Sequence, residues 1–385
     1  MIIDEWIGPV LGLSFLFYGS ATIFLLVGLK KVKSRHEQAK PFVSVIVAAR
    51  NEEYNLPRLL DSLLAQSYNS YEIIIVDDDS SDHTHAIARE YASRHPRLIV
   101  VSTNPEKRTG GQKKAALTAG ILASKGELLC FTDADCLPGG EWLACLVSQF
   151  SAEVGLVAGY SPYDVALLSP EIRPSGKLTT LFHQFLRYEE MKGAIWSAGS
   201  IGLRKGWLCT GRNLAYRRKV WDEVSGFSSI MASISGDDDL FLQLVQRSKR
   251  WKISYVFDPR SFVPTAPPES FQKFITQRKR HFSAGKYFTF PMKLFFLSFH
   301  GSNLFLFLGV VFGLFFPTVL MLALTFFLGK IVLDLSLSAA GASLLSEGHV
   351  WPRVVPMELL YLSYTTLIGP LGFVGTFEWK PNLKS

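Results

Sequence analysis

The sequence is poor in cysteine and poor in charge. Its 385 residues hold four cysteines, Cys130, Cys136, Cys145 and Cys209, and no two have the CxxC spacing of a structural zinc site. A disulfide scaffold is excluded for a chain this long, and free, partly buried thiols in a reducing compartment are expected. Charged residues make up 19% of the chain and Phe alone supplies 29 positions, against about 25% charged in an ordinary soluble domain. That balance excludes disorder and points to lipid-facing segments. The excess of 40 Lys+Arg over 33 Asp+Glu is only +7, and its scatter leaves no footprint for nucleic acid. A GxxxxGK[ST] loop is missing, as is a GxGxxG after the first strand. The calcium loop of an EF-hand fails as well: counted from Asp77, position 6 is Asp82 and position 12 is Ala88. Repeats and low-complexity tracts are also lacking.

Long apolar runs occupy both ends. Residues 7–29 carry no charge, and at ~1.5 Å per residue they reach ~34 Å, enough for a ~30 Å hydrocarbon core. Asp4 and Glu5 precede the run and Lys30 and Lys31 come after it, so it reads as a retained anchor and not as a signal peptide. The collar Lys30, Lys31, Lys33, Arg35 and Lys40 places the downstream chain in the cytoplasm by the positive-inside rule. From residue 292 the chain is apolar again. Residues 294–316 and 318–337 read as spans parted by Pro317, with Lys330 and Asp334 spaced to pair on one face. Residues 354–377 form a third candidate, interrupted by Glu358, Gly369 and Pro370. Lys380 and Lys384 favour the inside, so one of the three is expected to be re-entrant or interfacial.

Residues 41–264 have the composition of a soluble domain. Strands are expected at 43–49, 72–76, 98–102 and 128–132, and helices at 56–66, 82–93 and 112–124. The first helix carries Leu56, Leu59, Leu60, Leu63 and Leu64 at 3/4 spacing. This alternation predicts a mostly parallel, doubly wound α/β sheet, whose ligands sit beyond the carboxyl ends of the strands. Acidic clusters stand at those ends: Asp77-Asp78-Asp79 after EIIIV, and Asp133-Ala134-Asp135 after LLCFT. Asp237-Asp238-Asp239 opens a later apolar helix. Carboxylates gathered at one rim repel unless a cation or ligand joins them, and hard Mg²⁺ or Mn²⁺ suits such oxygens. The loop KRTGGQKK (residues 107–114) precedes a helix and offers Lys113 and Lys114 to a diphosphate. Residues 267–287 mix Lys273, Arg278, Lys279, Arg280 and Lys286 with aromatics, the mark of a helix lying in a membrane interface. Residues 162–207 show no motif.

The strings SVIVAARNEEYNLPRLL, EIIIVDDDSSDHT, GGQKKAALTAG, FTDADCLP, TGRNLAYRR, GDDDLFLQ and QRKRH, in this order over about residues 41–285, resemble a membrane-embedded family 2 glycosyltransferase. The resemblance implies a GT-A fold, here a doubly wound mixed sheet flanked by transmembrane helices. It also implies a nucleotide-diphosphate sugar donor (a UDP-sugar first), Mg²⁺ or Mn²⁺, and inverting transfer. By position it assigns Ala49, Asn51, Glu52 and Asp78 to the nucleotide and Lys113 to the diphosphate. Asp133 and Asp135 match the metal and donor DxD. Asp237 matches the catalytic base, with Asp238 in the neighbouring register and Asp239 toward the acceptor. Gln277 and Arg280 match a QxxRW motif, in which His281 replaces Trp. That Trp stacks on the acceptor sugar in processive synthases, so His281 favours one addition to a lipid or lipid-linked acceptor over a polymer. Gly236 and Thr118 depart from the family's frequent Glu and Asn.

The expected organisation is an anchor with its collar (1–40), a cytoplasmic GT-A domain (41–264), an interfacial segment (265–291) and a spanning region (292–385). This describes a multi-pass cell-membrane hexosyltransferase, with a polysaccharide synthase and a silent nucleotide-sugar-binding scaffold as competing readings.

Overall fold

The computed structural model describes residues 2–34, 37–103, 111–173 and 176–374. The sequence features at Arg35, Lys107, Arg108, Gly110, Lys380 and Lys384 lie outside the described residues. Helix α1 (Ile2–Lys31) leads into β1 (Val43–Ala49), α2 (Leu56–Leu64), β2 (Tyr71–Asp77), α3 (Thr84–Arg94), β3 (Leu98–Ser102), α4 (Gln112–Ala123) and β4 (Leu128–Phe131). Then come α5 (Trp142–Val147), β5 (Val154–Gly159), α6 (Lys177–Gly202), β6 (Leu214–Arg217), α7 (Arg218–Glu223), α8 (Asp239–Ser248), β7 (Lys252–Val256) and α9 (Phe271–Ser283). The chain closes with α10 (Phe290–Gly313), α11 (Pro317–Leu344) and α12 (Val354–Leu367).

The seven strands form one sheet in the order β3-β2-β1-β4-β6-β5-β7. Strand β1 runs parallel to both neighbours, pairing Ile46 with Ile74 on β2 and with Phe131 on β4. Every residue of β1 and β2 is buried, which is why neither strand shows a polar alternation. Period-two geometry sends Val43, Val45 and Val47 to one face, against Leu56, Leu59, Leu60 and Leu63 of α2. Ile46 and Ala48 go to the other face, where Leu117 and Ile121 of α4 meet them. Each buried leucine of α2 contributes about 2 kcal/mol of transfer free energy.

The sheet is mixed, and the parallel alternation read from the sequence ends at β4. Strand β6 lies antiparallel to both β4 and β5. After β5 the chain passes through the long helix α6, in the stretch without motifs, and re-enters the sheet at the same carboxyl rim, where Leu214 pairs with Ala158 and Phe131, so β6 runs back against both neighbours. Strands β5 (VGLVAG), β6 (LAYR) and β7 (KISYV) are about as long as β3 and β4, but glycines interrupt or charged residues bound their apolar runs, so the sequence does not mark them.

Among the described residues, four stretches are long and apolar enough to cross a membrane: Trp6–Lys31, Phe290–Gly313, Pro317–Leu344 and Val354–Phe373. The last is a 14-residue helix followed by a 3₁₀ turn at Gly369–Phe373. The helix alone spans about 21 Å, short of a ~30 Å core. Lys330 and Asp334 pair at 2.5 Å as their spacing predicts. The pair is buried with Glu358 of α12, which Lys192 of α6 also contacts, and Tyr18 of α1 donates to Asp334 at 2.5 Å. Charges placed among apolar helices persist only when paired in this way, and this network fastens α11 and α12 to α1 and α6.

Candidate active site

Three elements bring distant residues to the carboxyl rim of the sheet. Asp133 follows β4, Lys113 sits in the first turn of α4, and Asp237–Asp239 lead into α8. The Lys113 ammonium bridges Asp133 at 2.9 Å and Asp237 at 3.2 Å. Burial alone would lower the Lys113 pKa, but the two carboxylates raise it, so it is a permanent cation. Burial would likewise raise the Asp133 carboxyl, and Lys113 more than offsets it and holds the group below the usual range. Two of the three acidic clusters therefore converge on a single positive point.

The neighbours of Asp237 are committed to the backbone. Asp238 caps α8, accepting from the amides of Asp239 (2.7 Å) and Gly211 (2.9 Å). Burial, then the charge of Asp237, pushes its carboxyl up to about 6. Asp239 accepts from the Cys209 amide at 2.7 Å, and burial raises its pKa well above the ordinary value. Gly236 turns the chain into this cap with φ +86°, and a Cβ there would lie 2.6 Å from Leu240. A glutamate at this position would be both strained and crowded.

Helix α9, capped by the Ser270 hydroxyl on the Lys273 amide at 3.2 Å, forms the opposite wall. Gln277, Arg280 and His281 all line a polar cleft of about 170 Å³ together with Lys113, Asp133 and the aspartate triplet. Arg280 makes no ion pair among the described residues, and burial lowers its pKa against the pull of Asp237 and Asp133. Arg278 donates to Nδ1 of His281 at 3.2 Å. Because a guanidinium only donates, Nδ1 is the acceptor and the neutral ring carries its proton on Nε2. Desolvation, and then the charges of Arg278 and Arg280, push His281 well below its ordinary pKa, although its outer edge is exposed.

The remaining expected positions stand at the same rim with their polar groups engaged. The Ala49 carbonyl accepts from the Asp78 amide at 2.8 Å. Asp78 is fully buried, its carboxylate taking the Thr103 hydroxyl at 2.6 Å and Arg50 at 3.5 Å. Asn51, at φ +54°, accepts from the Ser81 amide at 2.8 Å. Glu52 accepts from the Asn55 side chain at 2.8 Å. Asp135 lies beside the Cys136 thiol at 3.8 Å and does not line the cleft. Lys114 is directed away from any diphosphate: it is buried and donates to the carbonyls of Ser233 (2.5 Å) and Ser235 (2.9 Å). It thereby ties α4 to the loop that carries the aspartate triplet.

Sequence reasoning missed a second charged group on the cleft. Arg278 contacts Glu189 and lies 3.5 Å from Glu190, while Arg212 reaches Glu190 at 2.5 Å. Burial, opposed by Arg278, pushes the Glu189 carboxyl up to about 7. The one signal in the sequence was an adjacent pair of glutamates inside an otherwise mostly apolar helix.

Among the described residues no three His, Cys, Asp or Glu side chains form a ready metal cage. The donor chemistry nevertheless suits a hard divalent ion. The cleft carries carboxylate oxygens, and Asp133 and Asp237 already address one cationic point, which Lys113 fills.

Residues 44–223 match the family model described as Glycosyl transferase family 2. Glycosyltransferase AglE of Haloferax volcanii is 36% identical over 122 residues, which is 31% of this chain and 39% of that protein. A beta-monoglucosyldiacylglycerol synthase of Trichormus variabilis is 29% identical over 241 residues, 60% of this chain and 48% of that protein. The chain thus spans about half the length of these relatives, or less. Among solved structures, mannosyltransferase PcManGT from Pyrobaculum calidifontis, in complex with GDP-Man and Mn2+, matches with a TM-score of 0.56 at 19% identity. The match covers 94% of this chain and 98% of that one, a likeness of fold. The architecture is the GT-A fold expected from the sequence.

Proposed function

We propose that the chain, whose residues 44–223 match the model of glycosyl transferase family 2, moves one hexose from a nucleotide-diphosphate sugar to a lipid or lipid-linked acceptor, with inversion. The observation that carries this reading is the double face of α9. Its Gln277, Arg280 and His281 line the aspartate cleft, while its Phe271, Phe274 and Ile275 line an apolar groove of about 520 Å³ with residues of α6 and α12. One helix thus joins a polar reaction cleft to a surface suited to acyl or prenyl chains. The relative named for making a glucosyldiacylglycerol fits the same reading.

Residues 41–264 are read as the catalytic domain on the cytoplasmic side, with Lys30 and Lys31 in the last turn of α1 and Lys33 just beyond it as the inside charge. The donor is a nucleotide-diphosphate sugar, with uridine as the first candidate base. Arg280, whose charge is incompletely compensated, and Lys113 hold its diphosphate. Ala49, Asn51, Glu52 and Asp78 shape the nucleotide end through the loops they brace. Asp133 and Asp135 would hold Mg²⁺ or Mn²⁺, which supplies Lewis-acid stabilisation to the leaving diphosphate. Asp237 takes the acceptor proton, Asp238 and Asp239 fix the turn that presents it, and His281 offers an Nε2–H to the acceptor.

Overexpression in cells followed by mass spectrometry of membrane lipids tests the reading, with Asp237→Asn as control. A new hexosyl lipid that appears only with the native chain is expected, and its formation in isolated membranes should cease on chelation of divalent ions. No hexosylated lipid in either case would overturn it. A pH profile offers a second check. Asp238, pushed up to about 6, must be ionised to accept both amides. Thus kcat/KM should fall as pH drops through about 6, and a flat profile down to about pH 5 would separate Asp238 from the active form.

A further inference from the structure

We propose that the acceptor is an uncharged lipid alcohol and not a lipid phosphate, selected by Glu189 and Glu190, which neutralise the two arginines that a phosphate head would need. The inference rests on the reading of lipid glycosylation above and names its acceptor class. A lipid phosphate and a lipid alcohol ask opposite things of a site. The phosphate is already anionic, requires unpaired guanidinium or ammonium groups, and needs no base. The alcohol requires a carboxylate within reach of its proton and no surplus cation.

The cleft meets the second description. Arg278 donates to Glu189 and has Glu190 at 3.5 Å, and Arg212 donates to Glu190 at 2.5 Å. All four side chains are at most 13% exposed, so water does little to screen the pairs. Tyr163 holds the arrangement, its ring under Arg212 at 5.3 Å and its hydroxyl accepting from Arg278 at 3.4 Å. When Glu189 takes up a proton, Glu190 still faces both guanidinium groups. Of the two other cations in the cleft, Lys113 is held between Asp133 and Asp237 and Arg280 faces the same donor-side carboxylates. Arg280 alone is without an ion pair among the described residues, and in the reading above the donor diphosphate occupies it. A phosphate entering beside Asp237 after the donor would therefore meet carboxylates and no remaining free cation, which is discrimination by repulsion. An alcohol fits. Its oxygen bonds to the anomeric carbon, the bond from that carbon to the diphosphate oxygen breaks with its electron pair leaving on the diphosphate, and the hydroxyl proton passes to Asp237.

The test uses the full chain in lipid nanodiscs, supplied with UDP- and GDP-hexoses and with either dioleoylglycerol or undecaprenyl phosphate. Release of nucleoside diphosphate should be roughly tenfold or more faster with dioleoylglycerol. In a turnover-free arm, quenching of tryptophan fluorescence should show farnesol binding more tightly than farnesyl phosphate, and Glu190→Gln should tighten farnesyl phosphate by roughly tenfold. The native protein's preference decides the matter even if the variant fails to fold. Faster release with undecaprenyl phosphate, or tighter native binding of farnesyl phosphate, overturns the inference and leaves lipid glycosylation standing. Release with neither lipid overturns the lipid-acceptor reading, and this inference falls with it.

Discussion

Asp237→Asn is expected to lower turnover by ~10²–10⁴ while donor affinity holds or tightens. An acceptor hydroxyl is a weak nucleophile until a carboxylate takes its proton, and of the three clustered aspartates only Asp237 faces the cleft without a backbone duty. Asp238 caps α8 and accepts from Gly211, and Asp239 accepts from Cys209. Asn preserves the shape of Asp237 but cannot accept a proton from the acceptor at neutral pH. Removing a negative charge 3.2 Å from Lys113 also frees that ammonium for the diphosphate, which is why donor binding should not weaken. The measurements are steady-state kcat and a titration with the nucleoside diphosphate. Asp238→Asn makes the discriminating companion: its damage should come through the α8 cap and appear as lost thermal stability together with lost activity. Native turnover in Asp237→Asn, alongside a stable but inactive Asp238→Asn, would exchange the two roles.

Much of the donor side was legible because it lies just past long, uniform strands. The runs VSVIVAA and EIIIV are buried on both faces, so their ends are sharp and the residues after them stand out. Asp133 and Asp237, more than 100 residues apart in the chain, were linked by their chemistry as carboxylates needing a common cation, and Lys113 supplies it. The acceptor side was hidden. Glu189 and Glu190 sit within a 26-residue helix that has no consistent apolar face, because along its length it meets α12, α11, α1 and the edge strand β7. Periodicity reports a single environment, and α6 crosses several. Lys114 misled for a related reason: neighbouring lysines look equivalent in sequence, yet adjacent positions at a helix start point about 100° apart. One reaches the cleft and the other the carbonyls of a loop.

Gly28→Val should prevent the chain from assembling, for a reason that also explains how the apolar helices control the cleft. Helices α1 and α6 meet backbone to backbone. A Cβ on Gly28 would lie 1.8 Å from the Gly199 carbonyl oxygen, and one on Gly202 would lie 2.0 Å from that of Gly28. Small residues at such a crossing let two helices approach until main chains touch. The obstacle is peptide backbone and not the end of a flexible side chain, so neither helix can yield locally. The cost should exceed the roughly 1–3 kcal/mol of ordinary overpacking. Helix α6 carries Glu189 and Glu190 to the cleft and Lys192 to the buried pair with Glu358, so parting it from α1 removes support from both. Size-exclusion chromatography of detergent-solubilised protein provides the measure, with loss of the monodisperse peak as the expected outcome. Gly193→Ala is the control on the same helix, because a Cβ there meets nothing within 4 Å, and it should run like the native chain. A monodisperse, active Gly28→Val protein would mean that α1 does not brace α6, and the N-terminal helix would then serve as a tether alone.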